Sequence, residues 1–469
     1  MKIGLTASAG LCAIVAVTAY AAITLGDAPA PQPAITPPVI AAVIPSPVAT
    51  TNIRPAASAA TASSEAAAAP ASVPAGYTLA YADEFNAAAL NTNDWYYRIA
   101  EPYAGGYVRS QNVSLDGASL RLKFGYEDVT GDNIPDYTGG GIMSRNNFGY
   151  GYYEIRARLF NGTSGLHSSF WSMGIRRDIG GAGGDPRIDQ DIDAGLQPEQ
   201  NQLYEIDAFE HDSPDRMGIG DFKQSTATTA HRLPYSSGAT LGINFGDWNV
   251  YAFDYTPAST KFYINGVLKF TIDNSTNGYV FTPQTFWLTA IRTANAGNTA
   301  ALPGYSEFDY FRYYNRPQIG ANLVGNGSFD ATPVSTFALW NPPAWIENYD
   351  KAASYLVTDD FSNGTRSLIQ TAAANFTVTT KQNLKFIPNG TYRLTARVKS
   401  SGGQSQAAMR VLNSGVAERK FDIPATASWT LITIDNIAVT NGKATVAFTS
   451  IGAANQWLKI DDVQFVQLS

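Results

Sequence analysis

The run Glu205-Ile206-Asp207-Ala208-Phe209-Glu210 places three carboxylates in a short segment whose other residues are apolar, as in a buried strand. Side chains alternate between the two faces of a strand, so Glu205 and Asp207 share one face. Strict alternation would send Glu210 to the opposite face. A β-bulge, in which Ala208 and Phe209 together count as one step, returns Glu210 to the face of the other two acids. We therefore predict a bulged strand here.

Clustered acids on a strand have two interpretations. An acidic strand is often a solvated sheet edge. Alternatively, two or three carboxyls that converge in a cleft can cleave a glycosidic bond, because one attacks or stabilises the sugar cation while another protonates the leaving oxygen. Two carboxyls held close together also have pKa values that are pushed apart. One of them then keeps its proton and can act as the acid, while the other is ionised and can act as the nucleophile.

Composition limits the class of protein. The chain has 469 residues, enough for two or more domains, and it is 45% hydrophobic, 12% aromatic and only 15% charged. These values fit turn-rich all-β proteins and exclude disorder throughout. A net charge of −7 and a pI near 5.1 argue against a nucleic-acid partner. The negative net charge also disfavours a strongly sulphated polysaccharide as substrate, unless a locally basic groove offsets it.

The N-terminus predicts export. Lys2 is followed by an uncharged, largely apolar run to about Leu25, and Ala19-Tyr20-Ala21 resembles a cleavage site. We interpret residues 1–26 as a signal peptide, or as an uncleaved anchor, and expect a secreted, periplasmic or cell-surface protein. Residues 27–76 are an Ala/Pro-rich linker with too few large side chains to build a core, which we predict to be disordered. The only cysteine is Cys12, so no intramolecular disulfide can form.

Residues 77–316 carry strand signals throughout. Short alternating segments are separated by Gly, Asn, Asp and Pro, and Lys261 to Phe270 form a predicted hairpin around an Asn-Gly turn. No sustained helical periodicity is present, and residues 176–202 suggest a long loop that leads into the acidic strand. The fold class is therefore all-β, with two packed antiparallel sheets.

The acidic segment resembles the E-x-D-x-x-E signature of glycoside hydrolase family 16, and the resemblance covers about 240 residues. The segments that carry it besides the acids are 81–86, 141–145, 150–158, 165–171 and 307–314. The resemblance implies a concanavalin-like jelly-roll sandwich and a retaining mechanism. It assigns Glu205 as nucleophile and Glu210 as general acid/base, with Asp207 orienting the pair. Retention needs carboxyls about 5–5.5 Å apart, whereas about 6.5–9.5 Å would mean inversion.

Further substrate-binding residues are less sharply defined. Trp171 and Trp287 are candidate cleft platforms on strands that the resemblance places on the concave sheet. His231 follows the acids by about 20 residues, where many relatives carry a histidine on the neighbouring strand, and it is a candidate for contact with substrate or with Glu210. Arg292 is a candidate for sugar hydroxyls or an acidic substituent. His211 follows Glu210 directly and so faces away, which favours a structural role.

The substrate stays open. Glucan-cleaving relatives often carry Trp-Pro where this chain has His167 and Ser168, and the run Ser168 to Trp171 is closer to the galactan-cleaving branch. An exported endo-acting hydrolase of a β-1,3 or β-1,3/1,4-glucan is favoured. The alternatives are an agar- or carrageenan-like galactan hydrolase, a transglycosylase with the same site, and a non-catalytic carbohydrate-binding matrix protein.

Residues 319–469 resemble jelly-roll carbohydrate-binding modules at both ends, which predicts a second, smaller β-sandwich. Flat aromatic rings match the apolar faces of pyranoses. The alternative for any such ring is a place in the core, which we expect for Trp429 and Trp457. The candidate sugar-stacking residues are Trp340, Trp345, Tyr349 and Tyr355.

The segment Asp128 to Asp136 has the spacing of a calcium loop. The oxygen donors would be the side chains of Asp128, Thr130, Asp132 and Asp136 and the carbonyl of Ile134. Asn133 replaces the usual glycine, and no acid follows at the twelfth position, so a calcium-free turn is the alternative. We expect no cofactor for catalysis, a possible structural calcium, a polysaccharide as partner, membrane association only through an uncleaved N-terminus, and a monomer.

Overall fold

The computed structural model describes residues 73–162, 165–175, 184–198, 204–223, 230–275, 281–293, 298–331 and 342–469. The predicted signal peptide, nearly all of the predicted linker, Trp340 and residues 176–183 and 199–202 of the loop before the acidic strand lie outside these residues. No helix in the described part is long and apolar enough to span a membrane.

The first part of the described chain is a two-layer antiparallel β-sandwich, as the all-β jelly-roll prediction requires. Its strands are β1 (Thr78–Asp83), β2 (Trp95–Tyr97), β3 (Ala100–Tyr103), β4 (Gly106–Val108), β5 (Val113–Leu115), β6 (Leu120–Glu127), β7 (Asp136–Ser144), β8 (Gly151–Arg158), β9 (Leu166–Met173), β10 (Tyr204–Asp212), β11 (Arg216–Lys223), β12 (Ala230–Ser236), β13 (Asn249–Tyr255), β14 (Ser259–Ile264), β15 (Val267–Asp273), β16 (Thr285–Arg292) and β17 (Gly304–Asn315).

Two ladders form the layers. Sheet I runs β1–β17–β8–β13–β14–β15, with β6 and β5 continuing beside β17. Sheet II runs β2–β7–β16–β9–β10–β11–β12 and carries the acidic strand β10. At one end β6 pairs with β7 and joins the two ladders, and the β3–β4 hairpin adds to β7 through a parallel pairing.

Aromatic rings fill the space between sheets I and II. Phe170 and Phe286 of sheet II pack against Phe253 and Phe311 of sheet I, with ring centroids 5.4–6.0 Å apart. Phe209 of β10 packs on Tyr251 of β13 at 4.5 Å. Because these residues take the inner face of β9, β10 and β16, their sequence neighbours are directed to the outer face of sheet II.

One short α-helix interrupts the region that the sequence suggested as a loop. Helix α1 (Pro186–Asp193) begins after Asp185, whose side chain accepts from the backbone N–H of Arg187, and proline occupies its first position. Ile188 and Ile192 are buried against Trp287 and its neighbours on sheet II. The sequence prediction of a loop was wrong for these residues. The helical pattern consists only of Ile188 and Ile192, which lie about one turn apart, and such a short pattern does not distinguish a helix from a loop. Among the described residues, the other helical segments are α2 (Gly238–Leu241) and the 3-10 turns Ser110–Asn112 and Lys351–Ala353.

The C-terminal part forms a second β-sandwich, as predicted. Sheet III has the order β18–β21–β26–β23–β24, and sheet IV the order β19–β20–β27–β22–β25. The strands are β18 (Ile346–Tyr349), β19 (Ser354–Val357), β20 (Ser367–Thr371), β21 (Phe376–Lys385), β22 (Gly390–Ser400), β23 (Gln406–Leu412), β24 (Arg419–Asp422), β25 (Thr426–Val439), β26 (Lys443–Gly452) and β27 (Trp457–Gln467).

The two sandwiches are packed together through an aromatic contact. Phe386, after β21, stacks on Phe148 of the first sandwich with centroids 5.1 Å apart and planes at 10°. The backbone carbonyl of Phe386 accepts a hydrogen bond of 2.6 Å from the Asn315 side chain. Lys385 Nζ donates to Asn146 Oδ1 over 2.9 Å. These contacts make residues 73–469 one packed body over the described residues.

Glu347 in the second sandwich should make stability depend on pH. Its side chain is 4% exposed, and burial raises the pKa of its carboxyl well above the ordinary value. A raised pKa in the folded state means that stability is fully present below the unfolded pKa, about 4.3, and is lost as pH rises towards the folded value. We expect Glu347→Gln to raise the melting temperature at pH 8 by roughly 2 °C or more, with no difference at pH 4. Equal shifts at both pH values would contradict this assignment.

Candidate active site

The acidic strand has the predicted bulge. Along β10, Asp207 pairs with Trp171 of β9 and Gly220 of β11, whereas Glu210 pairs with Ser169 and Gly218, and the register shifts between the two acids. Ile206 and Phe209 are fully buried in the core. Since Ala208 and Phe209 occupy one step of the ladder, Asp207 and Glu210 emerge on the same outer face of sheet II. Glu205 shares this face by alternation.

Asp207 is the most buried of the three acids. Its side chain is 1% exposed, and Glu205 and Glu210 are half-buried on either side of it. Burial raises the pKa of Asp207 well above its ordinary value, and the neighbouring charge of Glu205 adds to the shift. The raised pKa favours the protonated form of Asp207, and its interaction with the Glu205 carboxyl acts in the same direction. Two adjacent carboxyls whose surroundings separate their pKa values suit unequal roles.

Arg232 of β12 engages the other side of the acid cluster. Its guanidinium donates to Glu210 and lies 3.5 Å from Asp207 Oδ2. Gly220 on the intervening strand permits this reach, because a Cβ there would lie 2.8 Å from Arg232 Cγ. Tyr235, which is also on β12, donates from its hydroxyl to Glu210 Oε2 over 3.3 Å. The sequence analysis did not identify Arg232 or Tyr235.

His167 supports Glu210 from the opposite strand. Its Nε2 lies 3.6 Å from Glu210 Oε1, and its Nδ1 lies 2.8 Å from Asp212 Oδ1. Burial alone would raise the pKa of Asp212, but the hydrogen bond and charge of His167 hold it below the ordinary value. The ionised carboxylate of Asp212 fixes the orientation of the His167 imidazole. His167 stands where glucan-cleaving relatives often carry tryptophan, so this difference in sequence lies within contact distance of Glu210.

The two predicted tryptophan platforms differ. Trp171 and Trp287 are in register, with centroids 4.6 Å apart. Trp171 is partly exposed, and its Nε1 donates to Thr289 Oγ1 over 3.1 Å. Trp287 is only 1% exposed, because helix α1 and its isoleucines cover that side of the sheet. The prediction of a sugar-stacking surface at Trp287 is therefore wrong; it packs beside Trp171.

Two other predicted binding residues have different partners. His231 Nδ1 lies 3.2 Å from Asp221 Oδ1, on the opposite face of β12 from Arg232, so the proposed contact with Glu210 is wrong. Strand alternation could have identified Arg232, the next residue. Arg292 donates to the carbonyl of Gly105 and lies over the Tyr137 ring at 4.9 Å, which makes it a support for a neighbouring loop.

His211 has the structural role that the sequence indicated. It is fully buried and packs on Phe245 with ring centroids 4.4 Å apart. Burial lowers the pKa of His211 to about 4, so the imidazole is neutral at physiological pH. It is a core residue behind the acid cluster.

The aromatic residues predicted for the C-terminal sandwich are scattered. Trp345 is 1% exposed, stacks on Phe329 and donates from Nε1 to the Asn326 carbonyl, so the sugar-stacking prediction is wrong for it. Tyr349 is 74% exposed and Tyr355 is half-buried. Trp429 and Trp457 are half-buried rather than fully within the core.

The candidate calcium loop is closed by its own hydrogen bonds. The Asp128 carboxylate accepts from the backbone N–H groups of Gly131 and Asn133, and Asp132 accepts from Ile134. Asp136 accepts from the N–H of Val129 over 3.2 Å. Within the described ranges, no group of three or more His, Cys, Asp or Glu side chains is arranged to hold a metal ion. Calcium at this loop stays a prediction.

Comparison with known proteins links the chain to glycosidases. It is 26% identical over 390 residues to a keratan-sulfate endo-1,4-β-galactosidase from Sphingobacterium multivorum, across 78% of this chain and 82% of the relative. It is 24% identical over 239 residues to a β-glucanase from Paenibacillus polymyxa, across 48% of this chain and 84% of the relative. No protein-family model matches the chain.

Solved structures with a similar fold include a non-specific endo-β-1,3(4)-glucanase of glycoside hydrolase family 16. It is 22% identical, with a TM-score of 0.41, and the match covers 52% of this chain and 93% of that one.

Proposed function

We propose that this protein is an endo-acting glycosidase that cleaves a β-linked polysaccharide with retention of configuration. The observation that carries the proposal is the bulge in β10, which brings Glu205, Asp207 and Glu210 to one face of sheet II. A purely carbohydrate-binding protein has no reason to bury an acid between two others. The similarity in sequence to two glycosidases supports the same class of activity.

Each acid has a distinct chemical role. Glu210 protonates the leaving oxygen while Glu205 attacks the anomeric carbon and forms a glycosyl-enzyme intermediate. Glu210 then removes a proton from water, which releases the sugar. Asp207 holds the proton that orients Glu205. Arg232 and His167 fix the position of Glu210, and the exposed part of Trp171 offers an apolar surface for a pyranose ring.

A β-linked galactan is the substrate that we favour. His167 replaces the tryptophan-proline pattern of glucan-cleaving enzymes and directly contacts the acid/base carboxylate. The relative that matches over most of this chain is named for cleavage of keratan sulfate at β-1,4-galactosidic bonds. A β-1,3 or mixed-linkage glucan is the second candidate, because a β-glucanase matches over about half of the chain.

The remaining features define the setting of this activity. The N-terminal segment would export the enzyme, and the linker would separate it from a membrane or wall. The C-terminal sandwich would bind carbohydrate through residues such as Tyr349 and act with the first sandwich as a monomer. The loop Asp128 to Asp136 would accommodate a structural calcium.

A substrate screen tests the proposal. We expect the purified protein to release oligosaccharides from at least one of keratan sulfate, β-1,4-galactan, agarose, carrageenan, laminarin, lichenan and xyloglucan. Product lengths of several sugars would indicate endo action, and longer products on addition of acceptor oligosaccharides would indicate transglycosylation. Binding without cleavage of any of these polymers would contradict the proposal and favour a matrix protein.

A further inference from the structure

Through β7, sheet II continues into a small sheet that the catalytic roles above do not use. Its strand order is β3–β4–β7–β6. One rung of this small sheet consists of Tyr103 on β3, Gly106 on β4, Tyr137 on β7 and Tyr126 on β6. Side chains of directly paired residues project from the same face of a sheet. Three tyrosines therefore lie in one line across four strands, and we call them the tyrosine row.

The tyrosine row lies on the face of sheet II that carries the acids. Side chains alternate along β7, so Tyr137 projects to the same side as Met143, an even number of residues further on. Met143 pairs with Trp287, which in turn pairs with Trp171, and Trp171 pairs with Asp207. The same face thus continues from Asp207 through Trp171 to the tyrosine row.

Two rings of the row are accessible and each is supported from one side. Tyr103 is 38% exposed and Tyr126 is 42% exposed. The Arg98 guanidinium, which is almost wholly buried, lies 5.1 Å from the ring centroid of Tyr103. Tyr126 packs against Tyr137 with ring centroids 4.9 Å apart and planes at 54°. The exposed surfaces of Tyr103 and Tyr126 therefore remain for a ligand.

The β3–β4 hairpin is held firmly against β7, which fixes the positions of the rings. Arg292 donates to the Gly105 carbonyl at the hairpin turn and lies 4.9 Å from the ring centroid of Tyr137. Gly106 permits the close approach, because a Cβ there would lie 2.7 Å from the backbone oxygen of Tyr137. Neighbouring strands lie about 4.8 Å apart, so the row is roughly 14 Å long. A fixed row loses little conformational freedom when it binds a ligand.

We propose that the tyrosine row is a second sugar-binding surface, which holds part of the polysaccharide chain remote from the bond that is cleaved. Flat rings match the apolar faces of pyranoses, and the tyrosine hydroxyls can form hydrogen bonds with sugar hydroxyls. The occupant is the substrate chain itself, because the row continues the face that carries Trp171 and the acids. Such a surface favours internal bonds of long chains. The proposal rests on the proposed function for its effect on rate, but not for its effect on binding.

The double variant Tyr103→Ala/Tyr126→Ala tests the kinetic effect on the polysaccharide that the parent cleaves in the screen. Loss of each ring should weaken binding by about two- to tenfold. We expect KM to rise by about tenfold or more, with a much smaller change in kcat. An aryl glycoside occupies only the cleft beside the acids, so its rate should change far less. A parental KM for the polysaccharide, or equal losses on both substrates, would overturn the proposal.

Two further variants control for folding and for the hydroxyl groups. Tyr103→Phe/Tyr126→Phe keeps both rings and should restore most of the affinity. Tyr305→Ala is the matched control, because Tyr305 is a half-buried tyrosine of sheet I whose ring lies 4.0 Å from the Arg121 guanidinium. It should leave KM at the parental value. A double phenylalanine variant as weak as the double alanine variant would show that the rings do not stack on sugars.

Binding without turnover separates the tyrosine row from the proposed function. Retardation in native gels that contain each screened polymer measures affinity in the Glu205→Gln background. Every variant also carries Tyr349→Ala, so that the exposed ring of the C-terminal sandwich does not mask the difference. Affinity should fall about tenfold with the two alanines and return with the two phenylalanines. Unchanged retardation, or none in any polymer, would overturn the proposal even if the parent is active. Retardation that depends on the two tyrosines in a protein whose parent cleaves nothing would overturn only the proposed function.

Discussion

Replacing Glu205 with glutamine should lower kcat by about 10⁴-fold or more, because no other group in the cluster can form the glycosyl-enzyme intermediate. Asp207 is almost fully buried, which raises its pKa and favours the protonated form, and Glu210 is held by Arg232 and must serve as acid. Initial rates of reducing-end release from the substrate found in the screen measure the loss. The glutamine side chain is nearly the same size, so the fold and the affinity for polysaccharide should persist.

Glu84→Gln is the matched control for this change. Glu84 is also a glutamate in the first sandwich, but it pairs with Arg312 of sheet I, away from the acid cluster. We expect parental activity from it, since partly exposed ion pairs contribute little to stability. Glu205→Gln with parental activity would refute the nucleophile assignment. Equal losses in both variants would point to general destabilisation.

Replacing Glu210 with glutamine should lower kcat by about 10²–10⁴-fold, the usual contribution of general acid–base catalysis. The loss should depend on the substrate, because a leaving group that needs no protonation makes the acid unnecessary in the first step. Aryl glycosides with acidic phenols therefore should retain more of their rate than the polysaccharide. Comparing the two substrate types by stopped and continuous assays checks this prediction.

The partner residues make the Glu210 test more specific. His167→Gln keeps a polar side chain opposite Glu210 but removes the imidazole that contacts it. Its loss of activity should be smaller than that of Glu210→Gln and should affect both substrate types alike. A Glu210→Gln variant that loses both substrates equally would contradict the role of Glu210 as proton donor to the leaving oxygen.

The acid cluster could be predicted from the sequence because its three acids lie within six consecutive residues of one strand. Ile206 and Phe209 are apolar residues that belong in the core, and Asp207 lies on the other face of the strand. One extra residue between Asp207 and Phe209 therefore predicts a bulge, and the structure bears out that arrangement. Arg232 could not be assigned in this way, since it is brought to the acids only by the order of strands in sheet II. A retrospective signal exists in Gly220, because a Cβ at this position would lie 2.8 Å from Arg232 Cγ.

The sequence also could not predict which aromatic residues are buried and which are accessible. Trp171 and Trp287 occupy equivalent positions on neighbouring strands, yet only the first is accessible. The difference comes from helix α1, which packs over Trp287 from a segment with no clear helical pattern. Trp345 likewise lies on the inner side of the second sandwich through contacts with residues distant in the chain. Residue type alone does not distinguish a platform from a core ring.

The anomeric configuration of the first-formed product tests the account most directly. Proton NMR during the first minutes of hydrolysis, before mutarotation, distinguishes the two anomers of the new reducing end. Attack by Glu205 followed by water predicts the β anomer, the configuration of the cleaved bond. Initial release of the α anomer would mean a single displacement by water, and Glu205 would then not be the nucleophile that the bulged strand was inferred to provide.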